Sequence, residues 1–144
     1  MNFDEYILNN SFCITETEAL NHNALVFAFV GDAVFTLYVR DYLASISTKK
    51  AGLLHTETSK FIKASYQAKL IDLLKKELTE KEVLVINTAR NLKTHNIAKN
   101  SSIEEYKKST SFESLLGYLY LTKQNQRLSK ILTFCKDQIN LDRQ

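Results

Sequence analysis

The 144-residue chain has no proline and only three glycines. Proline breaks helix interiors, and glycine costs about 1 kcal/mol there relative to alanine. A chain with so little of either has few built-in stops, which favours long helices. Cysteine is scarce as well. Cys13 and Cys135 lie near opposite ends of the chain in no metal-ligand spacing, which argues against a disulfide framework and fits a reducing, cytoplasmic compartment. Neither sign of charge dominates: a net charge of +3 permits an anionic partner without requiring one. The most apolar run, residues 24–39, is too short to span a bilayer and carries Asp32 in its middle, so no membrane segment is expected. Residues 1–10 hold Asp4 and Glu5 and no basic leader, which is not a secretory signal.

A hydrophobic fraction of 44% is ordinary for a folded protein and fits one domain over residues 1–144 with a single core. Thr15-Glu16-Thr17-Glu18 has the form of a capping box and predicts a short helix from about residue 16. Residues 23–44 are too densely apolar for one face and predict a central helix buried all round. Residues 49–76 read as amphipathic helix, with lysines between Leu54, Phe61, Ile62, Ala68, Leu70, Ile71 and Leu74. Thr79-Glu80-Lys81-Glu82 is a second capping box, and Ser102-Ile103-Glu104-Glu105 can cap a further helix. An apolar stretch, 112–121, and an amphipathic helix, 126–139, complete the chain. No segment alternates apolar and polar residues, so the fold class is all-α. Between Glu82 and Glu104 no acidic residue occurs. That interval holds Arg90, Lys93, His95 and Lys99 among several asparagines, and its second half reads as a loop.

Asp32 stands among apolar residues in Phe29-Val30-Gly31-Asp32-Ala33-Val34-Phe35. A buried carboxylate needs a counter-charge, backbone donors or a metal ion. A buried salt bridge to Arg40 would satisfy it, as would a cation. Glu113 lies in Thr110-Ser111-Phe112-Glu113-Ser114-Leu115-Leu116-Gly117, where Thr110 and Glu113 could simply form another capping box. Two of the three glycines are placed beside these acids: Gly31 precedes Asp32, and Gly117 follows Glu113 by one helical turn. That placement points to a close approach of two helices, or of a helix and a ligand, near both carboxylates. Two hard oxygen ligands on facing helices could hold magnesium. Other chemistry has little support. His22, His55 and His95 are scattered, and no nucleophile elbow, zinc-protease motif or phosphate-binding glycine loop occurs. Tyr38, Tyr42, Tyr118 and Tyr120 fall at helical spacing, as core or interface residues would.

The stretch Asn23-Ala24-Leu25-Val26-Phe27-Ala28-Phe29-Val30-Gly31-Asp32-Ala33-Val34-Phe35 resembles the signature helix of the ribonuclease III family. The stretch from Thr110 to Leu121 resembles that family's second acidic motif. Ala28 and Thr110, standing where larger relatives carry acids, bring the chain nearer to the mini-ribonuclease III subfamily, as do Ser65-Tyr66-Gln67-Ala68 and Arg90-Asn91. The resemblance covers roughly residues 20–135. It implies an all-helical homodimer that cuts double-stranded RNA with Mg2+, using Asp32 and Glu113 as catalytic metal ligands. It implies Arg90, Asn91, Lys93 and Lys99 as contacts to the RNA backbone, precursor large-subunit ribosomal RNA as substrate, and room for a ribosomal protein as helper. A separate double-stranded-RNA-binding domain is not expected within these residues. The chain departs from the subfamily at Thr36, where glutamate is usual, and at Thr88-Ala89-Arg90-Asn91, where Arg-Gly-Arg-Asn is usual. These departures keep two alternatives open: a catalytically silent RNA-binding relative, and a helical scaffold for a protein partner. The apolar excess of residues 27–42 and 112–121 also favours a homodimer, since a self-complementary interface would cover it.

Overall fold

The computed structural model describes residues 14–19, 23–91 and 102–143. Among the described residues every regular element is a helix: α1 (Glu16–Ala19), α2 (Ala24–Ile46), α3 (Ala51–Ile62), α4 (Ala64–Leu74) running into a 3-10 turn (Lys75–Glu77), α5 (Glu80–Asn91), α6 (Ile103–Leu121) and α7 (Asn125–Asp142). The expected loop after Asn91 lies outside the described residues, as do Lys93, Lys99, Cys13, His22 and His95. No described helix is long and apolar enough to cross a membrane.

The helix starts follow local chemistry. Thr15 and Glu18 form the reciprocal capping box, with bonds of 2.9 and 3.1 Å. Thr79 and Glu82 form another, at 3.0 and 3.2 Å. Ser102 Oγ accepts from the Glu105 backbone N–H at 3.0 Å and caps α6. Asn23 caps α2 by accepting from the Leu25 N–H at 2.7 Å. The Thr110-x-x-Glu113 match is not a cap. Thr110 lies inside α6, and its hydroxyl donates to the Tyr106 carbonyl at 3.0 Å. The amphipathic stretch 49–76 is two helices, because Lys63 adopts an extended backbone between them. The break is closed by polar bonds. The Tyr66 and Gln67 N–H groups donate to the Lys63 carbonyl, and Gln67 Nε2 donates to the Ile62 carbonyl at 3.0 Å.

The helix buried all round is α6, not α2. From Ser109 to Leu119 every residue of α6 except Glu113 is buried, and α2, α4 and α5 pack around it. Helix α2 buries a single stripe, Ala24, Phe27, Gly31, Phe35, Val39 and Leu43, at three- and four-residue spacing. Its outer face leaves Phe29 80% exposed, together with Val26 and Leu37. The α2–α6 contact is fixed by edge-to-face rings, Phe35 with Phe112 at 4.9 Å and Phe27 with Tyr118 at 5.8 Å between centroids. Helix α7 contributes Leu128, Ile131, Leu132, Cys135 and Ile139 to the same core. Burial pushes the Cys135 thiol up to about 12, which leaves it unreactive. The end of α7 is tied to its neighbours by polar side chains. Asp142 accepts from Tyr66 and Lys69, each at 2.8 Å, and Arg143 pairs with Glu57 of α3.

Candidate active site

The site is set by how closely α2 and α6 cross. A Cβ placed on Gly31 would lie 1.7 Å from the carbonyl oxygen of Glu113, and one on Gly117 would lie 1.8 Å from the carbonyl oxygen of Phe27. Neither glycine has a positive φ, so what is required of them is the missing side chain, not conformational freedom. The two backbones touch, and the contact falls on the residues that carry or adjoin the two acids. Neighbouring serines lock the register: Ser114 Oγ donates to the Ala24 carbonyl at 2.8 Å, and Ser111 Oγ donates to the Ile86 carbonyl at 2.9 Å. Both bonds are buried, so breaking either would leave a serine hydroxyl unpaired inside the core. These serines were in view in the motif, but nothing in its spacing showed that they fasten α6 to α2 and α5.

The crossing brings the Asp32 and Glu113 carboxyl groups together, near enough to share a hydrogen bond. Glu113 is half-buried, and its pKa is raised from 4.5 to about 8, first by desolvation, then by the charge of Asp32 and the hydrogen bond to it. Among the described residues no basic group acts on it. Asp32 itself is exposed at the edge of the outer face of α2, with Phe29 and Thr36 one turn to either side. This corrects the expectation of a buried Asp32. The apolar residues around it in sequence divide between the core stripe and the outer face. The salt bridge to Arg40 is not formed either: Arg40 is exposed, and among the described residues neither side chain enters an ion pair.

The pair fits a divalent cation. Two carboxyl groups face each other with no basic side chain beside them among the described residues, and burial, with the neighbouring Asp32, keeps the proton on Glu113 near neutrality. Magnesium binds hard oxygen and needs only one or two carboxylates, with water completing its shell. Among the described residues no cluster of three or more His, Cys, Asp or Glu is present, so what those residues could offer such a site is this pair. Ala28 and Thr36, one turn before and after Asp32, add no carboxylate, and Thr110 is buried with its hydroxyl engaged. The remaining candidates lie elsewhere. Arg90, in the last turn of α5, is half-buried and donates from its guanidinium to Glu104. Asn91 ends α5 with its side chain exposed.

The Ribonuclease III domain model matches residues 25–124, a span that contains both acids and both glycines of the crossing. The chain belongs to the ribonuclease III family. It is 41% identical to a mini-ribonuclease 3 of Enterococcus faecalis over 115 residues, covering 78% of this chain and 87% of the relative. It is 37% identical to one of Clostridium tetani over 129 residues, covering 89% and 84%. Among solved structures it resembles a Fusobacterium nucleatum protein with a TM-score of 0.74 and 26% identity, covering 81% of this chain and 93% of the other. These likenesses put the chain in the mini-ribonuclease III branch of the family and, with it, among the endoribonucleases.

Proposed function

We propose that this ribonuclease III-family chain is a magnesium-dependent endonuclease that cuts both strands of double-stranded RNA, with Asp32 and Glu113 as the catalytic metal ligands. The observation that carries the reading is the carboxyl pair at the glycine-tight crossing, which no basic side chain among the described residues compensates. Without a cation Glu113 holds its proton at neutral pH, and taking up a cation would expel it. Bound magnesium supplies activation of water and offsets the charge that builds on the phosphoryl oxygens and the leaving group. Asp32, on the exposed edge of α2, gives the pair access to a phosphodiester that approaches from solvent. Arg90, Asn91, Lys93 and Lys99 hold the RNA backbone. A-form RNA is read mainly through phosphates and 2′-hydroxyls, so this set needs little base specificity.

The working unit is a symmetric homodimer. Phe29, Val26 and Leu37 form an exposed apolar face beside Asp32, and a second copy would cover it in an isologous interface. Obligate interfaces of this kind bury about 2,000 Å² or more, and a duplex across the two-fold axis would offer one strand to each acid pair. Residues 1–144 act as one catalytic domain. The substrate in this reading is precursor large-subunit ribosomal RNA in the cytoplasm, with a ribosomal protein as helper. Incubation with duplex RNA, with magnesium and with chelator, tests the activity. Cleavage should occur only with the metal, and the protein should scatter light as a dimer at micromolar concentration. A folded protein that leaves duplex RNA intact at any magnesium concentration would overturn the reading, and salt-dependent RNA binding would then separate a silent RNA binder from a helical scaffold.

A further inference from the structure

The described part of the basic interval ends in an ion pair that its sequence gives no hint of. Arg90, in the last turn of α5, donates through Nη2 to Oε1 of Glu104, in the first turn of α6. Each charge sits where its own helix end favours it, the cation at a C-terminus and the anion at an N-terminus, so the pair is formed before any ligand arrives. Its members remain accessible, with side chains 36% and 52% exposed. Glu104 precedes Glu113 by nine residues on α6. That is two and a half turns, about 13 Å along the axis and on the opposite side of the helix, so Glu104 is not a third ligand of the acid pair. A carboxylate and a phosphate present the same kind of oxygen edge to a guanidinium.

We infer that Glu104 is an internal stand-in for RNA phosphate: it occupies Arg90 in the free protein and must be displaced when a backbone phosphate takes its place, and so it sets how tightly the enzyme holds duplex RNA. The inference rests on the reading of Arg90 as a phosphate contact. It makes Glu104 an affinity-determining residue for the RNA and leaves the acid pair untouched. An exposed ion pair contributes up to roughly 1 kcal/mol, so removing the competitor should tighten binding by about two- to fivefold, most visibly at low salt.

The test is a double-mutant cycle on a short RNA duplex without magnesium, so that binding is read without cleavage. It compares the unaltered protein, Glu104→Gln, Arg90→Gln and the double variant, with the melting temperature of each as a check on folding. Glu104→Gln should tighten binding when Arg90 is present and have no effect when Arg90 is glutamine. Equal tightening in both backgrounds would reduce Glu104 to its contribution to net charge and overturn the inference. Weaker binding by Glu104→Gln would make it an orienting group instead, and no change would make the pair irrelevant to RNA; both overturn it. If Glu104→Gln and the double variant bind equally, it is the phosphate reading of Arg90 that fails.

Discussion

Glu82 on α5 and Glu113 on α6 are both drawn out of solvent between helices, yet they titrate in opposite directions. Glu82 is 3% exposed. Burial pushes its carboxyl up, but the hydrogen bonds from Arg127, followed by those from Thr79, outweigh that and hold it below its ordinary value. Arg127 meets it with a two-pronged grip, Nε to Oε2 and Nη2 to Oε1, each 2.8 Å, and also reaches the Glu77 carbonyl. Glu113 has the same burial problem with a negative neighbour in place of a positive one, and its pKa rises to about 8. The first arrangement is complete in the folded chain and joins α5 to α7. On the proposed function the second would be completed by a bound cation, which a structural site does not need and a metal-dependent active site does.

The sharpest contrast should come from neutralising one member of each pair. Asp32→Asn keeps the shape and removes the charge; it should lower magnesium-dependent cleavage by about a thousandfold or more while the melting temperature and RNA binding stay close to the original. Near-normal turnover by the folded variant would remove the acid pair from the mechanism. Next in size is the crossing itself. Gly31→Ala forces a methyl into the Glu113 carbonyl and should cost about 4 kcal/mol or more, at the top of the range for single substitutions. Chemical denaturation would measure it, and a loss under 1 kcal/mol would mean the helices can separate freely. On the compensated side, Arg127→Met leaves a buried carboxylate without its partner. Buried pairs lose about 3–5 kcal/mol on such a break, but Arg127 is 24% exposed, so a loss of about 2 kcal/mol is expected, partly recovered by adding Glu82→Gln.

The pH-dependent effect has the opposite sign. In the metal-free protein the folded state holds the Glu113 proton up to about pH 8, whereas a glutamate ordinarily releases it at 4.5. Folding therefore takes up a proton in that window, and stability falls as pH rises through it. Glu113→Gln has no proton to lose. It should melt with the original protein at pH 4.5, gain on it as pH rises, and keep a constant lead above about pH 8. A lead that shrinks with rising pH would contradict the uncompensated pair.

Local rules in the sequence located much of this. The capping boxes at Thr15 and Thr79 and the cap at Ser102 form as their spacing predicts, because each needs only residues three apart. The glycines beside the acids marked the crossing, since a helix carries an interior glycine at a cost that a close approach can repay. What failed involved partners far apart in sequence, or a choice of face. Thr110 and Glu113 match a capping box, but α6 starts earlier, at the Ser102 cap, and leaves Thr110 inside it. Density of apolar residues could not say that Phe29 and Leu37 of α2 face outward while Phe35 and Val39 face in. No proline or glycine marks the break at Lys63. The pairing of Glu82 with Arg127 across 45 positions and that of Arg90 with Glu104 depend on tertiary packing, and no local pattern encodes them.

The charge of Glu113 decides whether the acid pair waits for a cation. Titration of its carboxyl carbon by NMR, with and without magnesium, reads that charge at the atom concerned. Without metal the midpoint should lie near 8, and saturating magnesium should bring it below its ordinary 4.5. A midpoint near 4.5 without metal, or one near 8 that magnesium does not move, would contradict the claim that Asp32 and Glu113 form a metal-completed site.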